Sequence, residues 1–326
     1  MKAGKPPWPV LSALISLLPS DDPDLVAGPS LGEDAGVARL GDGFLVVHSD
    51  PITTATRRIG WYAVHVAAND VAVRGARPRY FLPVVLLPQE GWSAEEIFRD
   101  MAAALGEVGG VAMGGHTEVT PGLPRPIVSM TSIGYTRGRV VMTRDARPGD
   151  VVIVSGWIGG EAASIVAQDF ADRLREVDEG LIERAASLSR HISVVERALA
   201  VKDLVNSMHD ATEGGLLQAL REVALASNTR IVVDVRRVSL DPAVEAVLEA
   251  VGLDPLRSLS SGCLVATAPR ESAEEAVERL EKQGAPVQVV GEVVDRPGKG
   301  ELVLVNGERK EIVASDIVDE IYKLWS

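Results

Sequence analysis

The sequence of 326 residues has little cysteine and little positive charge, and these shortages exclude several classes of protein. Cys263 is the only cysteine, so an intramolecular disulfide and a cysteine metal cage are both excluded. The formal net charge is −13 and the pI is about 4.9. A nucleic-acid binder normally carries a basic stripe that neutralises phosphates, so this balance argues against one. A nucleotide ligand remains compatible with it, because divalent cations bridge carboxylates to phosphates.

Long apolar runs and the common nucleotide-binding loops are also missing. No stretch reaches the roughly 18 apolar residues that a membrane-spanning helix needs. The apolar run 10–18 follows Lys2 and Lys5, but Ser12 and Ser16 interrupt it and no small-residue cleavage site follows. This pattern favours an amphipathic helix over a signal peptide, so we expect a cytoplasmic protein. Neither G-x-x-x-x-G-K-[ST] nor a G-x-G-x-x-G after a strand occurs.

The order of local signals predicts an α+β protein with two domains. The length favours two domains, and the turn Arg147-Pro148-Gly149-Asp150 suggests a boundary that gives domains 1–147 and 148–326. Strands and helices mix without a strict βαβ rhythm, which favours α+β over a doubly wound sheet. Ser93 and Glu96 form a capping-box pattern that predicts a helix to about residue 108. Further helices are predicted over 59–69, 179–200 and 213–226, and from residue 315.

Four acidic residues in the first 70 stand at the ends of predicted elements. Glu33 and Asp34 lie between glycines, and Asp50 directly follows the predicted strand 44–48. Eleven steps of roughly 100° along the helix from Ile59 bring Asp70 back to within about 20° of the same apolar face. A carboxylate that faces inward costs several kcal/mol unless it is paired or binds a metal. The alternatives are a salt bridge from Asp70 to one of the arginines at 74 and 77, or a simple helix-end turn.

Two polar loops accompany these acids. Residues 113–120 read Met-Gly-Gly-His-Thr-Glu-Val-Thr, where the diglycine lets backbone approach a ligand closely. Residues 207–217 read Ser-Met-His-Asp-Ala-Thr-Glu-Gly-Gly-Leu-Leu and open an amphipathic helix. With Thr212 as the predicted cap, the N–H groups of that helix start would suit a phosphate. Acids at element ends beside such loops are typical of a site for a hard cation and phosphate.

The motifs in this order resemble one superfamily. They are Gly-Glu-Asp-Ala (32–35), His-Ser-Asp (48–50), Ala-Asn-Asp-Val-Ala-Val-Arg-Gly-Ala-Arg-Pro (68–78), Gly-Gly-His-Thr (114–117) and His-Asp-Ala-Thr-Glu-Gly-Gly (209–215). The superfamily contains aminoimidazole ribonucleotide (AIR) synthetase, thiamine-monophosphate kinase, selenophosphate synthetase and the hydrogenase maturation factor HypE. The resemblance covers nearly the whole chain and is strongest to archaeal HypE-like, AIR synthase-related proteins.

This resemblance implies a PurM-like fold, in which an N-terminal α/β domain pairs with its copy into a β-barrel at a homodimer interface and an α+β domain follows. It implies ATP and Mg²⁺ in a cleft near that interface, and a small-molecule or protein substrate. The residues implied to hold the metal are Asp34, Asp50, Asp70 and Asp210. Those implied to contact the nucleotide are Lys5, Glu33, Asn69, Gly114, Gly115, Thr117, Glu118, His209 and Thr212, beside Asp34 and Asp50. The implied catalytic residues are Asp70, His116 and Asp210.

The sequence departs from the family pattern at three points. His116 stands where relatives usually carry an acid, and we expect its imidazole to donate to a phosphate oxygen; the alternative is a hydrogen bond to Glu118 that holds the loop. His48 and Ser49 replace a typical pair of threonines. HypE carries a C-terminal cysteine, whereas the only thiol here, Cys263, is predicted to lie in the core.

The expected function is therefore ATP-dependent phosphorylation or activation of a substrate oxygen, as in AIR synthase and HypE but without the HypE thiol. One alternative is a small-molecule kinase like thiamine-monophosphate kinase. Another is a nucleotide-binding partner in hydrogenase maturation that has little turnover of its own.

Overall fold

The computed structural model describes residues 6–53 and 57–325, and the predicted nucleotide contact Lys5 lies outside these ranges. The elements of the first half are α1 (Trp8–Ile15), β1 (Leu25–Ala27), β2 (Gly36–Leu40), β3 (Gly43–Ile52), α2 (Ile59–Ala72), β4 (Arg77–Leu87), α3 (Ala94–Val108), β5 (Val111–Ala112), β6 (His116–Val119) and β7 (Ile127–Thr136). Those of the second half are β8 (Val151–Ser155), α4 (Gly160–Asp169), α5 (Glu179–Ser187), α6 (Val195–Val201), β9 (Ser207–Ala211), α7 (Gly215–Ser227), β10 (Arg230–Asp234), α8 (Pro242–Ala250), β11 (Cys263–Ala268), α9 (Arg270–Glu281), β12 (Val287–Asp295), β13 (Glu301–Asn306) and β14 (Arg309–Ile312).

The first half builds a mainly antiparallel sheet around a buried helix. The strand order is β1-β2-β3-β7-β4-β5, and β6 pairs in parallel with β4 beside β5. All fourteen residues of α2 are buried, so this helix is enclosed on every side rather than along one apolar stripe. It approaches β7 so closely that a Cβ on Gly134 would lie 2.6 Å from Val71 Cγ1. The glycine therefore allows α2 to pack directly on the sheet.

The second half builds a separate mixed sheet with helices around it. Its order is β14-β13-β10-β12-β8-β11-β9, with β10 and β13 parallel. Helix α7 packs on this sheet through Leu216, Leu220 and Val223, all buried, as the predicted apolar stripe requires. Two sheets with helices in both halves confirm the α+β prediction. The boundary between 147 and 148 stays a prediction.

The predicted single helix over 179–200 is wrong, because a distant side chain binds the backbone in its middle. The chain forms α5, a 3₁₀ turn over Leu188–His191 and then α6. The Asn69 side chain donates from Nδ2 to Ile192 O and accepts from Val194 N, both at 2.8 Å. These two backbone groups pair with the amide instead of with a continuing helix.

Two smaller predictions also need correction. Thr212 is not the cap of α7, because Gly214 occupies the cap position with φ +77° and no side chain caps the helix. The predicted C-terminal α-helix is a 3₁₀ segment, Glu320–Trp325, that begins after Asp319. The Asp319 carboxylate accepts from Gly214 N at 2.7 Å and Ile321 N at 2.9 Å, so it joins this segment to the start of α7. Within the described ranges, no helix has the length and apolar character to cross a membrane.

Candidate functional site

A cavity of about 330 Å³ lies between the two halves of the chain, and ten of its described lining residues carry carboxyl or imidazole groups. These are Glu33, Asp34, His48, Asp70, His209, Asp210, Glu213, Glu222, Asp316 and Asp319. Trp8 and Leu11 of α1 close one side. No lysine or arginine is found among the described lining residues. We call this space the acidic cavity.

Three aspartates that the sequence singled out converge here from separate elements. Asp34 precedes β2, Asp70 lies near the end of α2, and Asp210 lies in β9. The inward orientation predicted for Asp70 is confirmed, since this residue is only 7% exposed. Its Oδ2 lies 3.4 Å from Nε2 of His48 on β3. His48, one of the residues that depart from the family pattern, thus lies directly beside a predicted metal ligand.

The arginines that follow Asp70 have other carboxylates as partners. Arg77 binds Glu196 at 2.5 Å on the surface. Arg74 has no exposed area, and its guanidinium binds Glu33 and also Asp34 Oδ2, the latter at 2.6 Å. A salt bridge from either arginine to Asp70 was the alternative interpretation of this helix end, and the structure favours an inward carboxylate at the cavity instead.

Arg74 also ties the two halves of the chain together at the site. Its Nη2 donates to Thr143 Oγ1 and to Met208 O, both at 2.7 Å. Met208 lies in β9, two residues before Asp210. Glu33 further accepts from the backbone N–H groups of Thr143 and Arg144 at 3.2 and 3.3 Å. The Glu33 carboxylate therefore holds the backbone of the segment at Thr143 and Arg144 in place.

His209 bridges two carboxylates of the acidic cavity. Its Nδ1 lies 2.5 Å from Asp34 Oδ1, and its Nε2 lies 2.8 Å from Glu222 Oε2. Burial alone would lower the pKa of His209, but Asp34 and Glu222 outweigh burial and raise it to about 10. Burial would raise the pKa of Asp34, but His209 and Arg74 outweigh it and lower that pKa. The pair is therefore an imidazolium and a carboxylate at neutral pH.

The donor set fits a hard divalent cation. Ligand atoms of Asp34, His209 and Asp210 all lie within 4.8 Å of one another. Both nitrogens of His209 already contact carboxylates, so the oxygens of Asp34 and Asp210, with Asp70 on the same cavity, are the groups suited to a cation. Carboxylate oxygens with room for phosphate oxygens are what Mg²⁺ prefers.

A second cavity, of about 390 Å³, adjoins the first. It contains Asp50, the fourth predicted metal ligand, which therefore lies apart from the other three. Thr212, Glu213 and Tyr322 line both cavities, and Tyr322 Oη donates to Glu213 Oε1 at 2.9 Å. We call this space the second cavity.

The diglycine loop lies elsewhere. Gly114, Gly115, His116, Thr117 and Glu118 are all exposed at the edge of the first sheet and line neither cavity. His116 Nε2 lies 3.1 Å from Glu118 Oε2, which is the alternative contact considered for this histidine. Roles for this loop at a nucleotide stay predictions.

Asn69 also lines neither cavity. It has no exposed area, and its amide binds residues 192 and 194. A direct contact from Asn69 to a nucleotide stays a prediction, whereas its part in joining the two halves of the chain is visible in the structure.

Sequence reasoning missed several residues that shape the two cavities. They are Arg74, Glu161, Glu222, Asp319 and Tyr322. Arg74 offered a signal, because it follows Asp70 by four residues and lies just after the end of the apolar helix α2. Glu222 lies on α7 away from the apolar stripe of Leu216, Leu220 and Val223, so the helical pattern gave no signal for it. Asp319 and Tyr322 follow no pattern that marks a site.

Two family models match the chain. The model for the AIR synthase related protein N-terminal domain matches residues 32–136, and the model for the C-terminal domain matches residues 147–303.

Curated relatives extend over most of the chain. The carbamoyl dehydratase HypE of Rhizobium leguminosarum bv. viciae is 31% identical over 78% of this chain and 72% of its own. A putative hydrogenase expression/formation protein of Methanocaldococcus jannaschii is 29% identical, over 79% and 78%. Thiamine-monophosphate kinase of Pyrococcus abyssi is 29% identical, over 76% and 79%.

Solved structures share the fold. A HypE–HypF complex superposes with a TM-score of 0.74 at 23% identity, over 94% of this chain and 99% of that chain. HypE in complex with ATP gives a TM-score of 0.68 at 24% identity, over 96% and 95%. AaThiL complexed with AMPPCP and TMP gives 0.73 at 18% identity, over 92% and 94%.

Proposed function

The chain belongs to the family of AIR synthase related proteins and is HypE-like within it, and from this membership we propose that it is an enzyme that uses ATP and a divalent cation to phosphorylate a substrate oxygen. The observation that carries the proposal is the convergence of Asp34, Asp70 and Asp210 on one cavity between the two halves of the chain. Its volume of about 330 Å³ falls at the lower end of the range for small-molecule sites.

Charge explains why a cation belongs in the proposal. Among the described lining residues of the acidic cavity, eight carboxylates outnumber two imidazoles and there is no lysine or arginine, so a bare triphosphate would be repelled. A divalent cation held by Asp34, Asp70 and Asp210 would neutralise the phosphates and orient the γ-phosphoryl group. Solved relatives of the same fold contain ATP or AMPPCP, which supports ATP as the nucleotide.

The side chains of this protein would hold the metal-binding carboxylates in position and accept a proton. Arg74 fixes the Asp34 carboxylate through a buried ion pair, and His48 lies beside Asp70. Glu213 faces both cavities, so it is placed to accept the proton of an oxygen that attacks from the second cavity. In that step the oxygen forms a bond to the γ-phosphorus, the bond to the bridging oxygen breaks, and ADP leaves.

The fate of the phosphorylated oxygen separates two versions of this function. In a carbamoyl dehydratase of the HypE type, the bond from carbon to the phosphorylated oxygen would then break, and that oxygen would leave as inorganic phosphate. Cys263 does not serve as a thiol acceptor, because it is fully buried in β11 and burial raises its pKa to about 12. The kinase version, like thiamine-monophosphate kinase, ends at the phosphorylated oxygen and needs no thiol; the relative from Pyrococcus abyssi supports it as the second candidate.

We further propose a homodimer formed through the first sheet. Helices α2 and α3 cover one face of this sheet, while apolar side chains remain half-buried or exposed on the other. By strand register these include Leu45, Val47, Tyr80, Leu82, Val84, Ile133 and Tyr135. A contiguous apolar face of this kind is typical of a protein interface. Burying it against a second copy would form the barrel that the family resemblance implies.

Calorimetry of ATP binding tests the cation site. We expect binding with Mg²⁺ and at least a tenfold loss with excess chelator or in Asp210→Asn. The matched control Asp203→Asn changes an exposed aspartate outside both cavities and should bind as the wild type does. Equal affinity with and without chelator would contradict the proposal. ADP formation with added acceptors then separates an enzyme from a binding partner with little turnover.

A further inference from the structure

The second cavity contains a deeply buried carboxylate that faces no cation. Glu161, in the first turn of α4, is only 7% exposed, and its Oε2 accepts from Ser261 N at 3.0 Å. No lysine, arginine or histidine lies among the described residues that line this cavity. Burial raises the pKa of Glu161, and the carboxylates of Glu213 and Asp50 raise it further. A buried carboxylate without a counter-charge costs several kcal/mol, which a bound cation would offset.

The rest of the lining is suited to an organic cation rather than to a bare metal ion. Tyr62 and Tyr322 line the cavity, and aromatic rings attract ammonium groups through their quadrupole. An apolar wall completes the cavity and consists of Pro51, Ile52, Val66, Ile165 and Leu259. Apolar walls, aromatic rings and a few carboxylates are the chemistry that binds amines with hydrocarbon parts.

We propose that the second cavity is the acceptor pocket and that it binds a small organic cation, an amine or a quaternary ammonium compound that also carries the oxygen to be phosphorylated. This inference rests on the proposed function, because the wall shared with the acidic cavity, at Thr212, Glu213 and Tyr322, is where the phosphoryl group would cross. A volume of about 390 Å³ suits a small molecule. Without a divalent cation, Asp50, Glu161 and Glu213 would repel a phosphate ester or a carboxylate from this pocket.

Matched ligands test this directly in the full chain. The probes are choline and its neutral isostere 3,3-dimethylbutan-1-ol, and 4-aminobutan-1-ol with pentan-1-ol and 4-hydroxybutanoate. Binding is measured by ligand-observed NMR and calorimetry, with and without Mg²⁺ and AMPPCP. We expect at least one cation to bind at least tenfold more tightly than its neutral or anionic partner.

Two variants locate that binding. Glu161→Gln keeps the size of the side chain and an oxygen for Ser261 N, and it should reduce the cation preference about tenfold. Leu259→Trp places an indole in the cavity from a half-buried wall position and should abolish cation binding. The control Glu249→Gln, on the exposed face of α8, should leave the preference intact. AMPPCP affinity, measured in each variant, reports that the acidic cavity is still formed.

The outcomes are distinct. Equal binding of cation and neutral isostere, no cation bound at 10 mM probe, or a preference that survives both pocket variants would each overturn the acceptor assignment. AMPPCP binding in the same samples would then leave the proposed ATP function standing. Selective cation binding without any AMPPCP binding would instead remove the ATP function and, with it, the role of the cavity as an acceptor pocket.

Discussion

Replacing Arg74 by methionine tests how the acidic cavity is held together. The Arg74 side chain is fully buried, and it pairs with Glu33 and Asp34, whose side chains are 2% and 5% exposed. Methionine would leave both carboxylates buried without their cation, although His209 still contacts Asp34. Removing one partner of a buried ion pair costs about 3–5 kcal/mol, because the remaining charge stays desolvated.

The expected fall in the melting temperature of Arg74→Met follows from the length of the chain. Unfolding entropy of about 2.1 cal/mol/K per residue gives about 0.7 kcal/mol/K for a chain of 326 residues. A loss of about 3–5 kcal/mol then lowers the melting temperature by about 4–7 °C if both halves unfold together. Differential scanning calorimetry, supported by urea unfolding, measures this.

Arg77→Met is a matched control, since Arg77 also pairs with a carboxylate close to α2. The side chains of Arg77 and Glu196 are 50% and 60% exposed, and an exposed pair contributes only about 0.2–1 kcal/mol. This variant should melt within about 1.5 °C of the wild type. Adding Glu33→Gln and Asp34→Asn to Arg74→Met should recover part of the loss. If Arg74→Met melts no lower than Arg77→Met, the reasoning about buried charge is refuted.

Three further predictions concern the interface, the diglycine loop and pH. Ile133→Glu on the outer face of the first sheet should convert the dimer into a monomer of 34.6 kDa by light scattering, and a monomeric wild type would contradict the interface. His116→Ala should weaken ATP affinity more than ADP affinity if the imidazole contacts the γ-phosphate, whereas equal losses would indicate a loop-holding role. Burial raises the pKa of Asp319 to about 7, above its ordinary 3.8, so the stability that it contributes should be lost as pH rises from about 4 through 7. In Asp319→Asn, the free energy of unfolding, measured with urea, should fall less between pH 5 and pH 8 than in the wild type. An equal fall in both proteins would contradict this prediction.

Short-range patterns in the sequence determined much of the local structure. Ser93 caps α3 as predicted, with Glu96 N donating to Ser93 Oγ at 3.2 Å. Cys263 is buried in a strand, and Asp70 faces inward at the end of α2. Each outcome depends on spacing within one element, where helical or strand periodicity fixes the direction of a side chain. The motifs around the acids likewise identified the family, because they are segments of consecutive residues.

Only the tertiary structure decided which of these groups meet. Asn69 divides the helix predicted over 179–200, and Arg74 binds Asp34 across 40 positions of sequence. Asp50 lies in a different cavity from the other three aspartates. Glu161 is a candidate for binding a cation only because Asp50 and Glu213 line the same cavity. Such contacts depend on how two sheets and their helices pack, and a buried charge or amide takes whichever partner that packing brings near. Periodicity gives the direction of a side chain within its own element, but the partner on another element is set by the packing of the whole fold.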